Sequence, residues 1–397
     1  MKDMTTTPLG PLDRLRVDHI GSFTRPQRLL DTQARVDAGS ADTVELRAVE
    51  DDTIREAIAC QEAAGFPVVT DGEFRRRNFQ DSFGAAVSGY ESSEPSAYNE
   101  WQKSNESDQQ QRIGSGPAIA GPPVVTRRAT AQRLALTRNV PLEEWRFADD
   151  AAAVPAKTAL IGPDRVAQRF DHQASAGVYD GLADFTAHVA QIQHVMVSEL
   201  VGAGCLYVQI DAPGYTAYVD APSLQMMRSR GEDPDENLRL SIEADNAVID
   251  GLSGATFGIH LCRGNSRGID PKTGEMVPQW HREGTYDAIA EQLFTGLHHQ
   301  RLLLEYDSDR AGGFEPLRFV PRNKVVVLGL VTTKSLVIEK VDDLKRRIDE
   351  AAKYIPLDQL ALSTQCGFSS GAGTTVPQDV QWRKLEVIME TAAQVWG

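Results

Sequence analysis

The sequence GIHLCRGN, residues 258–265, places a histidine and a cysteine two positions apart, at His260 and Cys262. The 397-residue chain has only four cysteines, and a second one, Cys366, lies near the end of a later apolar run. A glutamate, Glu305, lies in another such run. Two thiolates, an imidazole and a carboxylate together form a ligand set that suits tetrahedral zinc. These residue types predict a zinc site, provided that the fold brings the four side chains together.

Composition limits the class of protein. The formal net charge is −15, and 41% of the residues are hydrophobic, which is enough for a sizeable core. An acidic chain lacks the basic surface that binds nucleic acid or an anionic membrane. We see neither a secretory signal nor an apolar run of transmembrane length, and we therefore predict a soluble, cytoplasmic protein. Four cysteines do not make a disulfide framework, so in a reducing compartment they are core residues, catalytic thiols or metal ligands.

Eight short apolar runs alternate with segments of helical periodicity. The runs are almost continuously hydrophobic, as parallel strands buried on both faces should be. They cover residues 18–23, 66–74, 157–163, 205–213, 256–262, 302–309, 324–333 and 360–368. The helical segments between and after them include 45–64, 180–203, 235–253, 285–299, 341–353 and 378–395. This alternation predicts a (β/α)8 TIM barrel, with residues 1–397 as one domain.

Two polar stretches interrupt the pattern. Residues 86–150 contain many Ser, Gln, Asn and Pro residues, and we interpret them as an insertion after strand two, built of a hairpin and a loop. Residues 263–284 form a long, charged and glycine-rich loop after strand five. Long loops after the strands of a barrel are often functional, so this loop is a predicted cover of the site.

The predicted strands place the ligand candidates at one end of the barrel. Residues two apart on a strand face the same side, so His260 and Cys262 both point into the barrel mouth. Glu305 ends strand six and Cys366 ends strand eight, where barrel enzymes collect their active-site residues. A single buried cysteine is more often a core residue. Four candidate ligands at strand ends favour a site, whereas Cys60 and Cys205 are assigned to packing.

Several motifs, in order along nearly the whole chain, resemble the catalytic domain of cobalamin-independent methionine synthase. They are HIGSF, DGE, QIDAP, the His-x-Cys pair, the later glutamate and TQCGF. The resemblance implies a stand-alone core form, without the N-terminal half of the full-length synthase. It also implies that zinc activates a substrate thiol, and it assigns the ligands to His260, Cys262, Glu305 and Cys366.

The same resemblance implies where the amino acid part of homocysteine binds. The residues that match the family's positions are Ile20, Gly21, Ser22, Glu73 and Asp211. Two carboxylates suit an ammonium group. A solvated strand end for Glu73 and an arginine partner for Asp211 are the structural alternatives.

Other family features are missing, and they all belong to the alkyl-donor half of the site. Ala212 replaces the second acid of the family's IDEPA motif. Lys334 lies near the place where the family has a proton-donating histidine, and no tryptophan follows IGP to stack on a pterin. We therefore consider Lys334, and His281 in the long loop, as candidate catalytic proton donors.

The predicted function is a zinc-dependent S-methyltransferase resembling 5-methyltetrahydropteroyltriglutamate–homocysteine S-methyltransferase, with a donor that need not be folate. Its predicted partners are a small-molecule thiol acceptor and an alkyl donor, and a homo-oligomer is possible. One alternative is an epoxyalkane:coenzyme M transferase, in which Arg75, Arg76 and Arg77 would bind a sulfonate. Another is a non-catalytic zinc-binding barrel. A decarboxylase of the uroporphyrinogen type would leave Cys262 and Cys366 unexplained.

Overall fold

The computed structural model describes residues 12–78, 81–91, 128–264, 267–269, 276–278, 282–369 and 376–397. Within them, six strands form one entirely parallel sheet in the order β10-β9-β8-β5-β4-β3. These strands are β3 (Thr158–Ile161), β4 (Tyr207–Asp211), β5 (Thr256–Leu261), β8 (Arg301–Glu305), β9 (Val325–Val331) and β10 (Leu360–Thr364). Every residue of the six is buried, which explains their nearly continuous hydrophobicity.

The first two predicted strands are much shorter than the apolar runs suggested. Val17 forms one parallel bridge to Leu362 of β10, and Val69 forms one to Ala156, just before β3. The two segments also meet each other, because the Phe23 N–H donates to the Gly72 carbonyl at 3.0 Å. The eight-stranded barrel is thus present, but its first two strands are irregular. The second of them curls near its carboxyl end at Gly72 and Glu73, both with positive φ, which an extended strand cannot contain.

Helices surround the barrel. Their bounds are α1 (Gln27–Asp37), α2 (Thr43–Ala63), α3 (Asp81–Ala86), α4 (Val140–Ala151), α5 (Pro163–Ala167), α6 (Leu182–Gly202), α7 (Ala221–Ser229), α8 (Pro234–Ile249), α9 (Ala290–Gly296), α10 (Val341–Ala351) and α11 (Gln378–Trp396). α10 illustrates why they form: Leu344, Ile348 and Ala351 are buried at helical spacing, and charged residues occupy the other face. None of the helices in the described part of the chain is long and apolar enough to span a membrane.

Two hairpins lie outside the barrel sheet. β1 (Val87–Tyr90) pairs antiparallel with β2 (Thr130–Leu136), and β6 (Arg267–Ile269) pairs antiparallel with β7 (Met276–Pro278). The first lies in the predicted insertion and the second in the predicted long loop. The interval 86–150 also contains α4, which packs against α2 and β3 as the helix between strands two and three of the barrel. The insertion therefore ends before α4, because only the polar part of the interval lies outside the barrel pattern.

The barrel interior follows from the alternation of side chains along each strand. A small apolar cluster of Ile20, Leu303, Val325, Val327 and Ala361 lies apart from the main core, which packs between strands and helices. Since Leu303 faces inward, residues two positions away on β8 face inward too. On β8 these are Arg301 near the amino end and Glu305 at the carboxyl end. The amino end of β8, with Arg301, thus lies at what we call the lower end of the barrel, and its carboxyl end, with Glu305, lies at the upper end.

Candidate metal centre and substrate site

The four predicted ligands converge at the upper end of the barrel. His260 faces inward on β5, Cys262 follows that strand, Glu305 ends β8, and Cys366 lies two residues beyond β10. One ligand atom from each residue lies within 4.8 Å of those from the other three. The two sulfur atoms are 3.6 Å apart. The convergence predicted from strand ends is therefore present.

The polar atoms of this cluster fit a bound metal ion. Both ring nitrogens of His260 are buried, and among the described residues neither has a hydrogen-bond partner. A buried polar group without a partner is costly unless something else satisfies it. A ligand set of two sulfurs, one imidazole and one carboxylate suits Zn²⁺ and disfavours Mg²⁺ or Ca²⁺. The four residues thus have the composition and the spacing of a zinc site.

The electrostatics of the cluster favour one ionised thiol even before a metal binds. The hydrogen bond between the two sulfurs holds the pKa of Cys262 well below its usual range and raises that of Cys366. Burial lowers the pKa of His260, but the negative charge of the adjacent Cys262 outweighs burial and raises the pKa to about 9. Burial and the Cys262 charge raise the pKa of Glu305 to about 8. The three acidic groups, Cys262, Cys366 and Glu305, lie too close together to be ionised at the same time without a nearby cation.

Neighbouring groups fix the Glu305 carboxylate. The backbone N–H of Arg263 donates to Oε1 at 2.6 Å, and Arg310 Nη2 donates to Oε2 at 2.7 Å. Asp307 lies next to Arg310, at 3.8 Å, and accepts a hydrogen bond from Lys334 Nζ at 2.5 Å. Asp307 and Arg310 follow Glu305 closely in the sequence, and the structure gives them these contacts. Groups that orient a ligand in this way commonly tune metal affinity.

Asp211 lies directly beside the metal cluster. It is the strand partner of His260 in the β4–β5 pairing, and the backbone N–H of Ala212 donates to the His260 carbonyl at 2.9 Å. Its carboxylate accepts a hydrogen bond from Gln209 Nε2 at 2.7 Å. Burial raises the pKa of Asp211, and the charge of His260 opposes that shift. The predicted arginine partner of the structural alternative is absent from the hydrogen bonds and ion pairs of the described residues.

Glu73 has an unusual backbone conformation near the carboxyl end of the second barrel strand. It is the one non-glycine residue with positive φ, 57°, within the described residues. Its Oε2 is buried with no hydrogen-bond partner in the described part of the chain, and Arg76 Nη1 lies 3.6 Å from Oε1. Burial raises the pKa of Glu73 to about 7, Arg76 opposes the shift, and Asp211 adds to it. Strain and an unsatisfied buried oxygen are typical of groups kept for function.

The segment Ile20–Gly21–Ser22 lies against Glu73. A Cβ atom on Gly21 would sit 2.7 Å from Glu73 Oε1, so a larger residue there would displace the end of the Glu73 side chain. Ser22 is buried, and its carbonyl accepts a hydrogen bond from the N–H of Phe368, which follows Cys366 by two residues. The segment thus links the Glu73 side of the barrel mouth to the end of β10, where Cys366 lies.

The remaining predicted residues have different outcomes. Lys334 pairs with Asp307, and its positive charge opposes the burial-driven rise in the pKa of Glu305, so it lies near the cluster. His281 lies outside the described residues.

The two cysteines assigned to packing differ. Cys205 is buried, in agreement with that assignment, but Cys60 is exposed on the outer face of α2, so its assignment to packing is wrong. A mid-helix position alone does not tell which face a side chain occupies.

The arginine run does not form a free anion site. Arg75 contacts Asp51 at 2.6 Å and Phe147 at 4.4 Å, and Arg77 contacts Asp37 at 2.9 Å. Arg76 is buried and donates to Glu144 at 2.7 Å as well as approaching Glu73. Each guanidinium therefore has a carboxylate partner, which weakens the sulfonate interpretation of this run.

Comparison with known proteins identifies the family. The family model for the cobalamin-independent synthase catalytic domain matches residues 16–135. The chain is 32% identical over 386 residues to the uncharacterized protein YxjH of Bacillus subtilis (strain 168), covering 96% of this chain and 94% of that protein. The chain belongs to the family of cobalamin-independent methionine synthase catalytic domains. The resemblance inferred from the motifs is confirmed.

More distant similarities agree with the fold. Methionine synthase of Pyrococcus horikoshii is 21% identical over 352 residues, covering 88% of this chain and 84% of that protein. A structure from Listeria monocytogenes, provisionally assigned as a vitamin-B12-independent methionine synthase, superposes with a TM-score of 0.71 at 23% identity over 98% of this chain and all of that one. The 2-hydroxypropyl-CoM lyase of Xanthobacter autotrophicus is 27% identical over 144 residues, 32% of this chain and 38% of that protein. The barrel prediction is thereby confirmed.

One contact in this family member was missed by the sequence analysis. Gln209 hydrogen-bonds to Asp211, yet the motif QIDAP drew attention only to the aspartate. The spacing of two residues within a strand would have placed both side chains on the interior face. The spacing does not show which way the Gln209 amide is turned, because that depends on Lys157 from another part of the chain.

Proposed function

We propose that this protein is a zinc-dependent thiol S-alkyltransferase that transfers a methyl group to homocysteine. The observation that carries the proposal is the convergence of His260, Cys262, Glu305 and Cys366, with Asp211 as the strand neighbour of His260. A metal site of this composition beside a buried carboxylate suits a substrate that has both a thiol and an ammonium group. Membership in the methionine synthase family supports the methyltransferase assignment.

Zinc held by the four ligands would favour deprotonation of a substrate thiol, whose pKa of about 8.5 otherwise leaves little thiolate at neutral pH. The chain's own groups prepare the ligands for that role. Arg263 N–H and Arg310 fix both oxygens of Glu305, and the Gly264 N–H donates to Cys262 Sγ at 3.3 Å. Each of these contacts holds a ligand atom in place and leaves the barrel mouth to the substrate.

We propose that Glu73 and Asp211 bind the ammonium group of homocysteine, next to Ile20, Gly21 and Ser22. Glu73 Oε2 has no partner in the described chain, so an ammonium group would supply the donor that it lacks. A cation between Glu73 and Asp211 would also relieve the repulsion that contributes to the raised pKa of Glu73. The close approach of Gly21 to Glu73 leaves backbone rather than side chain at this edge of the site.

The alkyl-donor half carries a different set of groups. We propose Lys334, held by Asp307 near Glu305, as the donor of a proton to the leaving group, with His281 as the other candidate. Ala212 and the missing tryptophan and histidine remove features that would bind and protonate a folate. These departures favour a methylated corrinoid or another small methyl carrier as the donor.

The second candidate is a thiol transfer to an epoxide with coenzyme M as the thiol, as the match to 2-hydroxypropyl-CoM lyase suggests. The same zinc ligands would serve it. Two observations count against it: Glu73 and Asp211 would repel a sulfonate, and each of the three arginines at 75–77 already has a carboxylate partner. A non-catalytic zinc barrel would leave the strained Glu73 without a purpose.

Small molecules are therefore the partners that we propose, a thiol acceptor and an alkyl donor. A reducing, cytoplasmic location would suit four cysteines that are all free in the structure. A homo-oligomer stays a prediction from the sequence.

Calorimetric titration of the zinc-loaded protein with homocysteine and, separately, with coenzyme M tests the proposal. Proton release is obtained by repeating each titration in buffers of different ionisation enthalpy. We expect homocysteine to bind with release of about one proton, the difference between a thiol and a thiolate. Binding of coenzyme M alone would replace the proposal by epoxide opening. Binding of neither thiol would support a structural zinc site.

A further inference from the structure

A continuous chain of buried hydrogen bonds connects Asp211 with the lower end of the barrel. Gln209 Nε2 donates to Asp211 Oδ1 at 2.7 Å, and Lys157 Nζ donates to Gln209 Oε1 at 2.9 Å. Lys157 also donates to Asp18 Oδ1 at 2.5 Å. Gln209 is fully buried and Lys157 nearly so. Asp211 is thus held from below by an amide that is itself held by an ammonium group.

The chemistry of Lys157 determines the direction of the Gln209 amide. An ammonium group has three donors and no acceptor, so it can contact an amide only at the oxygen. The other two donors go to Asp18 and to the His19 carbonyl, and all three are therefore used. With Oε1 turned toward Lys157, the NH₂ group must face Asp211. A reversed amide would place NH₂ against the ammonium and oxygen against the carboxylate.

The lower contacts fix Lys157 in turn. Asp18 accepts hydrogen bonds from Tyr207 at 2.6 Å and from Arg301 Nη2 at 3.1 Å, so its second oxygen is occupied from the other side. Asp18, Tyr207 and Arg301 are all fully buried. The orientation of the amide therefore follows from a rigid group of charges and not from local backbone preference.

We infer that Gln209 is a positioning residue that prepares Asp211 to bind the ammonium group of an amino acid thiol. The inference rests on the proposed function, since it deepens the role given there to Asp211. The donor on Oδ1 orients the Asp211 carboxylate and leaves Oδ2 as the oxygen for the substrate. The side chain of Gln209 hydrogen-bonds to Asp211 and Lys157, so it acts through Asp211.

The test compares two thiols with Gln209→Met, which keeps the size of the side chain and removes both hydrogen bonds. The probes are homocysteine and desamino-homocysteine, the same thiol acid without its amino group. We expect affinity for homocysteine to fall by about 10- to 100-fold, as for partners that orient a functional group, and affinity for the desamino compound to stay within about 3-fold. In turnover, KM for homocysteine should rise more than kcat falls.

A matched control separates positioning from general loss of packing. Gln359 is also buried and donates from Nε2 to two carbonyls, those of Pro321 and Lys324, near the start of β10 and away from Asp211. Gln359→Met loses equivalent bonds, and its affinity for both thiols should equal that of the wild type. Gln209→Glu is a second variant: it keeps an acceptor for Lys157 but sets a carboxylate against Asp211, and it should weaken homocysteine binding further than the methionine variant.

The outcomes distinguish this inference from the proposed function. If the wild type does not bind homocysteine, the proposed function fails. If the wild type binds it and Gln209→Met binds it equally well, the positioning role alone is wrong. An equal loss for both thiols would mean that Gln209 supports the packing of the site and does not act on the ammonium group, which also overturns the inference.

Discussion

The barrel interior contains two groups of buried charges that differ in how fully they are satisfied. At the lower end, Asp18 contacts Lys157, Arg301 and Tyr207, and both of its carboxylate oxygens are used. At the upper end, Glu73 has a buried oxygen without a partner among the described residues, and His260 has two such nitrogens. The same strands supply both ends: β4 carries Tyr207 below and Asp211 above, and β8 carries Arg301 below and Glu305 above.

The difference separates buried charges that stabilise the folded chain from buried charges that destabilise it. Burial opposes ionisation of Asp18, but Lys157 and Arg301 outweigh it and hold its pKa well below the usual range. For Glu73, burial and nearby carboxylates win over Arg76 and raise the pKa to about 7. An acid with a lowered pKa stabilises the folded state when ionised, and one with a raised pKa destabilises it. The upper end thus retains buried groups whose ionisation costs stability in the chain by itself.

The largest effect should come from removing a metal ligand at the upper end. Cys366→Ser should abolish stoichiometric zinc and reduce thiol alkylation by at least about 1,000-fold, more than the roughly 10- to 100-fold typical of groups that only orient a ligand. Metal analysis after gel filtration and an alkyl-transfer assay provide the two measurements. Cys205→Ser is the control, because this buried cysteine lies at the start of β4, away from the cluster, and should retain zinc. Full zinc content in Cys366→Ser would contradict the site.

At the lower end, Asp18→Asn should mainly change stability. The substitution leaves Lys157 and Arg301 buried without their counter-charge, and we expect the free energy of unfolding to fall by about 3–5 kcal/mol at neutral pH. Since the pKa of Asp18 is lowered from 3.8, this difference is fully present above pH 3.8 and is lost as the pH falls below it. Urea unfolding at several pH values measures it. Asp37→Asn, which breaks an exposed pair with Arg77, should cost less than about 1 kcal/mol.

Glu73→Gln should have the opposite sign. In the metal-free protein, the raised pKa means that ionised Glu73 destabilises the fold increasingly as the pH rises from 4.5 to about 7. The variant should therefore be more stable than the wild type above pH 7, by up to about 3 kcal/mol, and equal to it near pH 4.5. Homocysteine affinity of the zinc form should fall about 10- to 100-fold through loss of a charged hydrogen bond.

Glu50→Gln provides the comparison for that result. Glu50 is also a buried carboxylate with a pKa raised by burial, but it pairs with Arg75 outside the barrel mouth. Its substitution should leave homocysteine affinity unchanged. A Glu73→Gln variant that lost stability at pH 8 would remove the distinction between the two ends of the barrel.

The narrowest effect, a change in kcat alone, concerns the proposed alkyl-donor half of the site. Lys334→Met should leave zinc content and homocysteine affinity nearly unchanged and lower kcat by about 100-fold, the low end for loss of a general acid. Single-turnover kinetics at saturating homocysteine isolate that step. Lys345→Met, on the outer face of α10, is the matched control and should keep the wild-type rate. An unchanged kcat in Lys334→Met would transfer the proton-donor role to His281 or to solvent.

Much of this arrangement could be predicted because it depends on local pattern. Runs such as VVVLGLV and LALST have the hydrophobicity of buried parallel strands, and they form β9 and β10. His260 and Cys262 share a face because strand periodicity is two, and Glu305 lies at their level because the end of its run is visible in the sequence. The first two barrel strands were harder to predict, because their apolar runs do not reveal that the backbone curls at Gly72 and Glu73.

The sequence by itself determined the barrel, the four candidate ligands and their placement at strand ends, because these follow from periodicity and from the side-chain chemistry of single residues. Only the tertiary structure decided which charges are satisfied. Asp18 meets Lys157 across 139 positions of sequence and Arg301 across 283, and the Gln209 amide takes its direction from Lys157. Such partners come from different strands that close on the barrel interior. The distinction between a buried carboxylate whose oxygens are both satisfied and one with an oxygen that lacks a partner among the described residues therefore exists only after the barrel has formed.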